Sequence, residues 1–278
     1  MKIGVLLIHN SIGDNLTCNG IVNFLLKYYN KIIISTTLVS FKIKNTTEYI
    51  KSLHNNKVLV LDFNEINNVV KNCYVDIFNL MLKQNKKLQI NFTYNNFYNE
   101  NNLFIKKFNI EKIYIYSDNG NLLDNGTKHY KNVGLNKIVR LEYFNYKRNT
   151  VEEDIVYKNI MEKYKIVDNN YNIICEGLQC DNVKSLINKK YITNNFVNIN
   201  IHNLVKNPLH LIKLIENAKE VHLIENSHCL MVYYLQYKKL MKLNKINYHI
   251  YSRVRPEKQK LFFNMVLNPK LNNWIVLK

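Results

Sequence analysis

Glycine and proline are scarce, seven and three in 278 residues, and the glycines never fall into a phosphate-binding fingerprint. Neither G-x-G-x-x-G nor G-x-x-x-x-G-K-S/T can be drawn, which excludes the dinucleotide turn and the P-loop. No Asp-x-Asp pair exists to clamp a metal on a diphosphate, and H-E-x-x-H and metal-spaced histidine clusters are missing too. The expectation is therefore no metal and no cofactor. Five cysteines (Cys18, Cys73, Cys175, Cys180, Cys229) show no C-x-x-C spacing and are odd in number, which fits reduced thiols better than a disulfide framework. Long apolar runs are also lacking. The stretch Ile3 to Ile8 is too short for a secretory leader, and Lys or Asn interrupts every other candidate for a bilayer span. A cytoplasmic protein is expected, with peripheral membrane association left open.

What is abundant is positive charge, a formal +18 from 39 Lys and Arg against 21 Asp and Glu. Such an excess invites polyanions, because Lys and Arg neutralise phosphates and release counterions. The lysines are dispersed, however, and Lys, Asn, Ile and Tyr are over-used together as A/T-rich codons would dictate. No specific nucleic-acid partner is expected. Anionic small substrates are a secondary explanation of the charge.

Short apolar runs alternate with longer helical patterns, the signature of a mostly parallel sheet covered by helices. In the first half strands are expected at 2–8, 31–35, 57–61, 89–94 and 112–116, with helices at 15–29, 46–53 and 75–84. Residues 95–102 read as a polar insertion, and the Asp-Asn-Gly signals in 117–126 as a loop. An amphipathic helix between 143 and 165, with Val151, Ile155, Ile160 and Met161 on its buried side, would join the halves. The second half repeats the theme: strands at 172–175, 196–201, 220–224 and 248–252, and helices at 209–217, 228–242 and 257–267. Pro208 and Pro256 stand where a helix start tolerates proline. The fold class is α/β, two Rossmann-like domains. Their expected limits are 1–145 and 170–278, with a connecting helix at 146–169 and the tail returning to the first domain.

Two places carry candidate chemistry. Ser11-Ile12-Gly13-Asp14-Asn15 follows the first strand and opens the first helix, so a carboxylate stands at the carboxyl edge of a parallel sheet, where such sheets bind ligands. Helix capping by Asp14 is the plainer alternative. Glu225-Asn226-Ser227-His228 lies between a strand and a long helix, whose first amides and dipole favour an anion such as a diphosphate. Capping by Asn226 or Ser227 competes with that role on equal terms. His249, Tyr251 and Arg253 alternate and would share one face of a strand, with Arg253 able to neutralise a phosphate.

Together these residues resemble the heptosyltransferase family of GT-B sugar transferases. The matching segments are Gly13-Asp14-Asn15-Leu16-Thr17-Cys18-Asn19-Gly20, then Phe144-Asn145-Tyr146-Lys147-Arg148 before Glu152-Glu153, then His249-Ile250-Tyr251-Ser252-Arg253, and Trp274. Small heptosyltransferase-like proteins of large DNA viruses and environmental sequences are similar in the order of these four motifs. Departures are Ser11 for a glycine, Glu225-Asn226-Ser227 for Asp-Ser/Thr-Gly, and Leu230 for a histidine. The resemblance implies two domains facing across a cleft and an inverting, metal-independent glycosyltransferase using a nucleotide-diphosphate sugar as substrate. Asp14 would be the catalytic base, and Glu225, Asn226, Ser227, His249, Tyr251 and Arg253 would hold the donor. Gly13, Asn15, Asn19 and Arg148 would contact substrate, a glycan or other hydroxyl acceptor. The alternative class is a catalytically degenerate nucleotide- or glycan-binding protein, or a basic nucleic-acid-associated factor. Glu225 in place of Asp is the feature that favours it.

Overall fold

The structure, a computed structural model, describes residues 2–8, 12–36, 46–61, 110–115, 130, 134–136, 138–176, 187–224, 226–243, 246–249 and 273–277. The chain divides into two compact units, Met1–Tyr146 and Lys147–Lys278. The helix expected to connect the halves belongs to the second unit. The expected elements at 75–84, 89–94, 95–102, 117–126 and 257–267 lie outside the described residues.

In the first unit β1 (Ile3–Ile8), β2 (Lys31–Thr36), β3 (Val58–Leu61) and β4 (Ile110–Ile115) form a parallel sheet in the order β3-β2-β1-β4. Their β-branched runs suit a sheet buried on both faces, and Ile32, Ile33 and Ile34 are all buried. The helix α1 (Ile12–Leu25) starts three residues earlier and ends four residues earlier than its pattern predicts, while α2 (Thr46–Leu53) matches its prediction. A short α3 (Val139–Glu142) packs on α1.

That packing explains Gly20. A Cβ there would stand 2.6 Å from the Arg140 Cα, 2.9 Å from its carbonyl oxygen and 2.5 Å from the Tyr130 hydroxyl, so only glycine lets α3 come this close. The buried Tyr130 hydroxyl donates to the Thr17 carbonyl at 2.8 Å across the same contact.

The second unit holds β5 (Tyr171–Cys175), β6 (Val197–Asn200), β7 (Glu220–Leu223), β8 (Ile246–His249) and β9 (Trp274–Leu277), all parallel, in the order β6-β5-β7-β8-β9. Counted within the unit this is 2-1-3-4-5, a doubly wound order with its reversal between β5 and β7. Of the tail, expected to return to the first domain, only residues 273–277 are among those described. Residues Trp274–Leu277 form the edge strand beside β8, and the Trp274 ring is buried, with its Nε1 donating to Gln236 at 2.7 Å.

A 3₁₀ turn (Pro208–Leu211) runs directly into α5 (Ile212–Glu216), and α6 (Ser227–Tyr237) follows β7. The α6 helix is five residues shorter at its C-terminus than predicted. On α4 (Thr150–Lys163) the buried side differs from expectation: Val151 and Ile155 are 66% and 47% exposed, whereas Glu153 is buried with Ile160. The cause is an ion-pair network, in which Arg148 holds Glu153 inward and fixes the rotation of the helix.

Strand alternation gives this second sheet two unlike faces. One face carries Tyr171, Ile173, Val221, Leu223, Ile246, Tyr248 and Trp274, and it packs on α5 and α6: the Tyr171 hydroxyl donates to the Leu214 carbonyl, and Trp274 meets Tyr233 edge-on. The other face carries Asn172, Asn198, Asn200, Glu220, His222, Asn247 and His249, with Ile174, Ile275 and Leu277 among them.

Candidate functional site

In the first unit α1 opens after the carboxyl end of β1, which lies at the reversal point of its sheet, between β2 and β4. Because the helix begins at Ile12, Gly13 and Asp14 are helical rather than part of a turn before it, and Asp14 is the third helical residue rather than its cap. A carboxylate in a first turn is favoured by the helix dipole. Gly13 is buried and Asn15 is only 1% exposed, so Asn15 faces the interior.

Asn19, expected to contact substrate, is hydrogen-bonded within the protein. Its amide donates to the carbonyls of Leu53 and Asn145, both at 3.1 Å, and its oxygen accepts from the Asn145 amide and the Asn23 side chain, both at 2.9 Å. All four hydrogen-bonding positions of the buried amide are filled. Asn19 therefore ties α1 to the end of α2 and to the segment after α3, and the Cys18-Asn19-Gly20 motif is packing machinery. Cys18, Cys175 and Cys229 are buried thiols; Cys73 and Cys180 lie outside the described residues.

Arg148, also expected to contact substrate, is engaged by protein acceptors. Its Nε donates to Glu153, Nη1 to Glu216 and to the Leu240 carbonyl at 2.9 and 3.0 Å, and Nη2 to Glu153 and Glu216 at 2.5 and 2.8 Å. Five donors meet protein acceptors, leaving none for a substrate.

In the second unit the β7–α6 junction stands at the sheet's reversal point. The Asn226 side-chain oxygen accepts from the Cys229 amide at 3.0 Å, so Asn226 caps α6, and its amide donates to the Cys175 sulfur at 3.2 Å, bridging the carboxyl ends of β7 and β5. That sulfur stays a thiol, since burial pushes its pKa up to about 12. The cap satisfies one amide of the first turn, while those of Ser227 and His228 have no acceptor inside the helix. Capping and anion binding are thus compatible here, because they use different amides.

His228 is buried, not solvated, and packs against His202 with ring centroids 6.4 Å apart. Burial, with His202 beside it, lowers its pKa to about 4, so it is neutral at pH 7. Glu225, Tyr251 and Arg253 lie outside the described residues, as do positions 250–252 of the expected strand at 248–252.

Glu220 and His222, which sequence reasoning missed, lie with the expected donor residue His249 on the polar face. Glu220 accepts from Thr193 through its amide and its hydroxyl at 3.1 and 2.8 Å, and lies 3.0 Å from Nε2 of His222. Nδ1 of His222 is in turn 2.9 Å from Nε2 of His249. Burial opposes ionisation of Glu220, but the hydrogen bonds from Thr193 and His222 outweigh it and hold the carboxyl below its ordinary range. The signal was available: polar residues at alternate positions of four consecutive strands cannot be the usual apolar filling of a parallel sheet.

Beside this chain of side chains, on the same face, is a cavity of ≈ 270 Å³ lined by Ile174, Glu176, Lys189, Ile192, Asn198 and Asn200 among others. Among the described residues no group of three or more His, Cys, Asp or Glu is placed to hold a metal ion, and no helix is long and apolar enough to cross a membrane.

No protein-family model and no curated protein matches the chain. Among solved structures it is similar to the crystal structure of a glycosyl transferase family 9 protein from Veillonella parvula. The TM-score is 0.46 and the identity 9%, over 99% of this chain and 85% of that one. At that score and identity the likeness carries no functional information.

Proposed function

We propose that the chain is a metal-independent, inverting glycosyltransferase that moves a sugar from a nucleotide-diphosphate donor to a hydroxyl acceptor. The observation that carries this reading is a repeated placement. Each unit has a parallel sheet whose order reverses next to a strand that feeds a helix, and reversal points of this kind are where such sheets bind ligands. One helix brings an acid, Asp14, in its first turn; the other presents first-turn amides behind the Asn226 cap. An acid for a proton and a dipole for an anion are what transfer from a diphosphate needs.

The Asp14 carboxylate takes the proton of the acceptor hydroxyl, whose oxygen forms the new bond at the anomeric carbon. The bond from that carbon to the diphosphate oxygen breaks from the opposite side, with inversion. The departing diphosphate takes the electron pair and is stabilised by the amides at the start of α6 and by Arg253, with Glu225 and Tyr251 beside it. The order of motifs shared with heptosyltransferase-like proteins supports the same assignment, with donor sugar and acceptor unspecified.

The test has two parts. A panel of nucleotide sugars should include one that raises the melting temperature progressively with its concentration, as a ligand of the native state must. With that donor, Asp14→Asn should retain binding and lose turnover by about a hundredfold or more. Donor binding without any turnover in the native chain would favour the degenerate binding protein instead. Equal turnover in the variant would reduce Asp14 to a structural first-turn acid.

A further inference from the structure

With the His222 ring neutral, the Glu220–His222–His249 chain has one direction; the Asn247 amide, 3.4 Å from Nε2 of His222, is a longer contact. An ionised Glu220 can only accept, so Nε2 of His222 carries the proton and donates to it. In a neutral imidazole the other nitrogen is then an acceptor, so Nδ1 of His222 receives the Nε2 proton of His249 at 2.9 Å. His249 is left with a bare Nδ1. That atom is buried, in a residue 2% exposed, and has no hydrogen-bond partner among the described residues.

Place matters as much as protonation. His249 ends β8 at the carboxyl edge of the sheet, level with Ile224 and Glu176 on the neighbouring strands. The ring of Tyr191 packs against it edge-on, at 6.0 Å between centroids, and Tyr191 sits between Lys189 and Ile192, which line the cavity on the same face. Apart from Ile174, Ile275 and Leu277, the strand positions on that face are amides, a carboxylate and imidazoles. A buried lone pair at the carboxyl edge of a parallel sheet, without a donor among the described residues, can accept from a ligand.

We infer that Glu220, acting through His222, holds His249 as a neutral acceptor whose Nδ1 receives an O–H or N–H of the nucleoside part of the donor, and that His249 does not contact the phosphates. This rests on the proposed use of a nucleotide donor and deepens it by dividing the site: phosphates at the start of α6, nucleoside along the polar face. Glu220 and His222 are positioning residues. The lowered pKa of His249, about 4 through burial and the neighbouring His222, agrees with a neutral ring.

The experiment uses the full chain labelled with ¹⁵N-histidine, with the His249 signals identified by their loss in His249→Asn. Long-range ¹H–¹⁵N spectra report which ring nitrogen carries hydrogen. Without ligand, His249 should be protonated at Nε2 and bare at Nδ1; a proton on Nδ1 overturns the inference before any ligand is added. The probes are pyrophosphate, the four ribonucleosides, their 5′-diphosphates and the 2′,3′-dideoxy diphosphates, with binding read in parallel by thermal shift.

At least one nucleoside diphosphate and its nucleoside should move the Nδ1 resonance, and pyrophosphate should not. An effect kept by the dideoxy compound assigns the donor group to the base, and an effect lost with it assigns it to the ribose. A nucleoside diphosphate that binds without moving Nδ1 overturns the inference and leaves the donor site standing. Absence of any nucleotide binding overturns both. His222→Gln should weaken nucleoside binding about tenfold, the scale of one lost hydrogen bond, with pyrophosphate affinity unchanged; equal weakening of both counts against the division.

Discussion

Replacing Arg148 by Met tests whether this residue serves the fold or a substrate. The guanidinium spans Glu153, Glu216 and the Leu240 carbonyl, and Glu153 is 1% exposed. Met fills most of the arginine stem but leaves the Glu153 carboxylate buried without its counter-charge. Removing one partner of a buried pair costs roughly 3–5 kcal/mol. Since the Arg148 side chain is itself 23% exposed and water can reach part of the gap, the lower end applies, about 3 kcal/mol. The urea midpoint of the second unit's transition should fall accordingly, with its slope unchanged.

Adding Glu153→Met should recover most of the loss, because a matched apolar pair replaces the buried charge at little net cost. Donor binding, measured under conditions where the variant is folded, should be unaltered. A single variant that loses less than about 1 kcal/mol of stability while losing substrate affinity would refute the structural assignment and return Arg148 to the binding site.

Gly20→Ala should destabilise the first unit by about 1–3 kcal/mol, the usual cost of overpacking, even though alanine is the better helix former by about 1 kcal/mol. The added carbon would stand 2.6 Å from backbone, which cannot step aside as a side chain can, and a stabilised variant in urea denaturation would refute the packing of α3 on α1. Stability should also fall as pH drops from about 6.5 toward 4. His228 and His249 are neutral when folded, with pKa about 4, but take up protons near 6.5 when unfolded, so the unfolded state binds more protons in that window. Each is worth roughly 3 kcal/mol at most, fully present above 6.5. Urea titrations at pH 7 and pH 4.5 check this, and His228→Phe should flatten the dependence; equal stability at both pH values would mean that neither ring is held neutral.

Local pattern was enough for much of the fold. The apolar β-branched runs of β1, β2 and β3 specify strands, because a parallel strand buried on both faces needs them, and the helix at 46–53 follows from its own periodicity. Pro208 and Asn226 mark their helix starts by chemistry that acts within three residues. Local pattern failed where a distant partner sets the energy. Val151 and Ile155 read as a buried stripe, yet the helix turns the other way, because a buried Glu153 satisfied by Arg148 and Glu216 fixes its rotation.

The same cause separates the candidate residues. Asn19 and Arg148 look like ligand contacts in sequence, but whether an amide or a guanidinium is free depends on acceptors that sit 34 to 126 residues away from Asn19 and up to 92 from Arg148. The Glu220–His222–His249 chain is the converse. Each member is an ordinary strand residue, and only the parallel register of β7 with β8 brings the two imidazoles to 2.9 Å. Sequence by itself determined the element types, the order of the motifs and the acid and polar residues at the strand ends. Tertiary structure decided which of those groups are already paired, because a hydrogen bond between distant residues depends on sheet register and helix rotation, neither of which is encoded within any one segment.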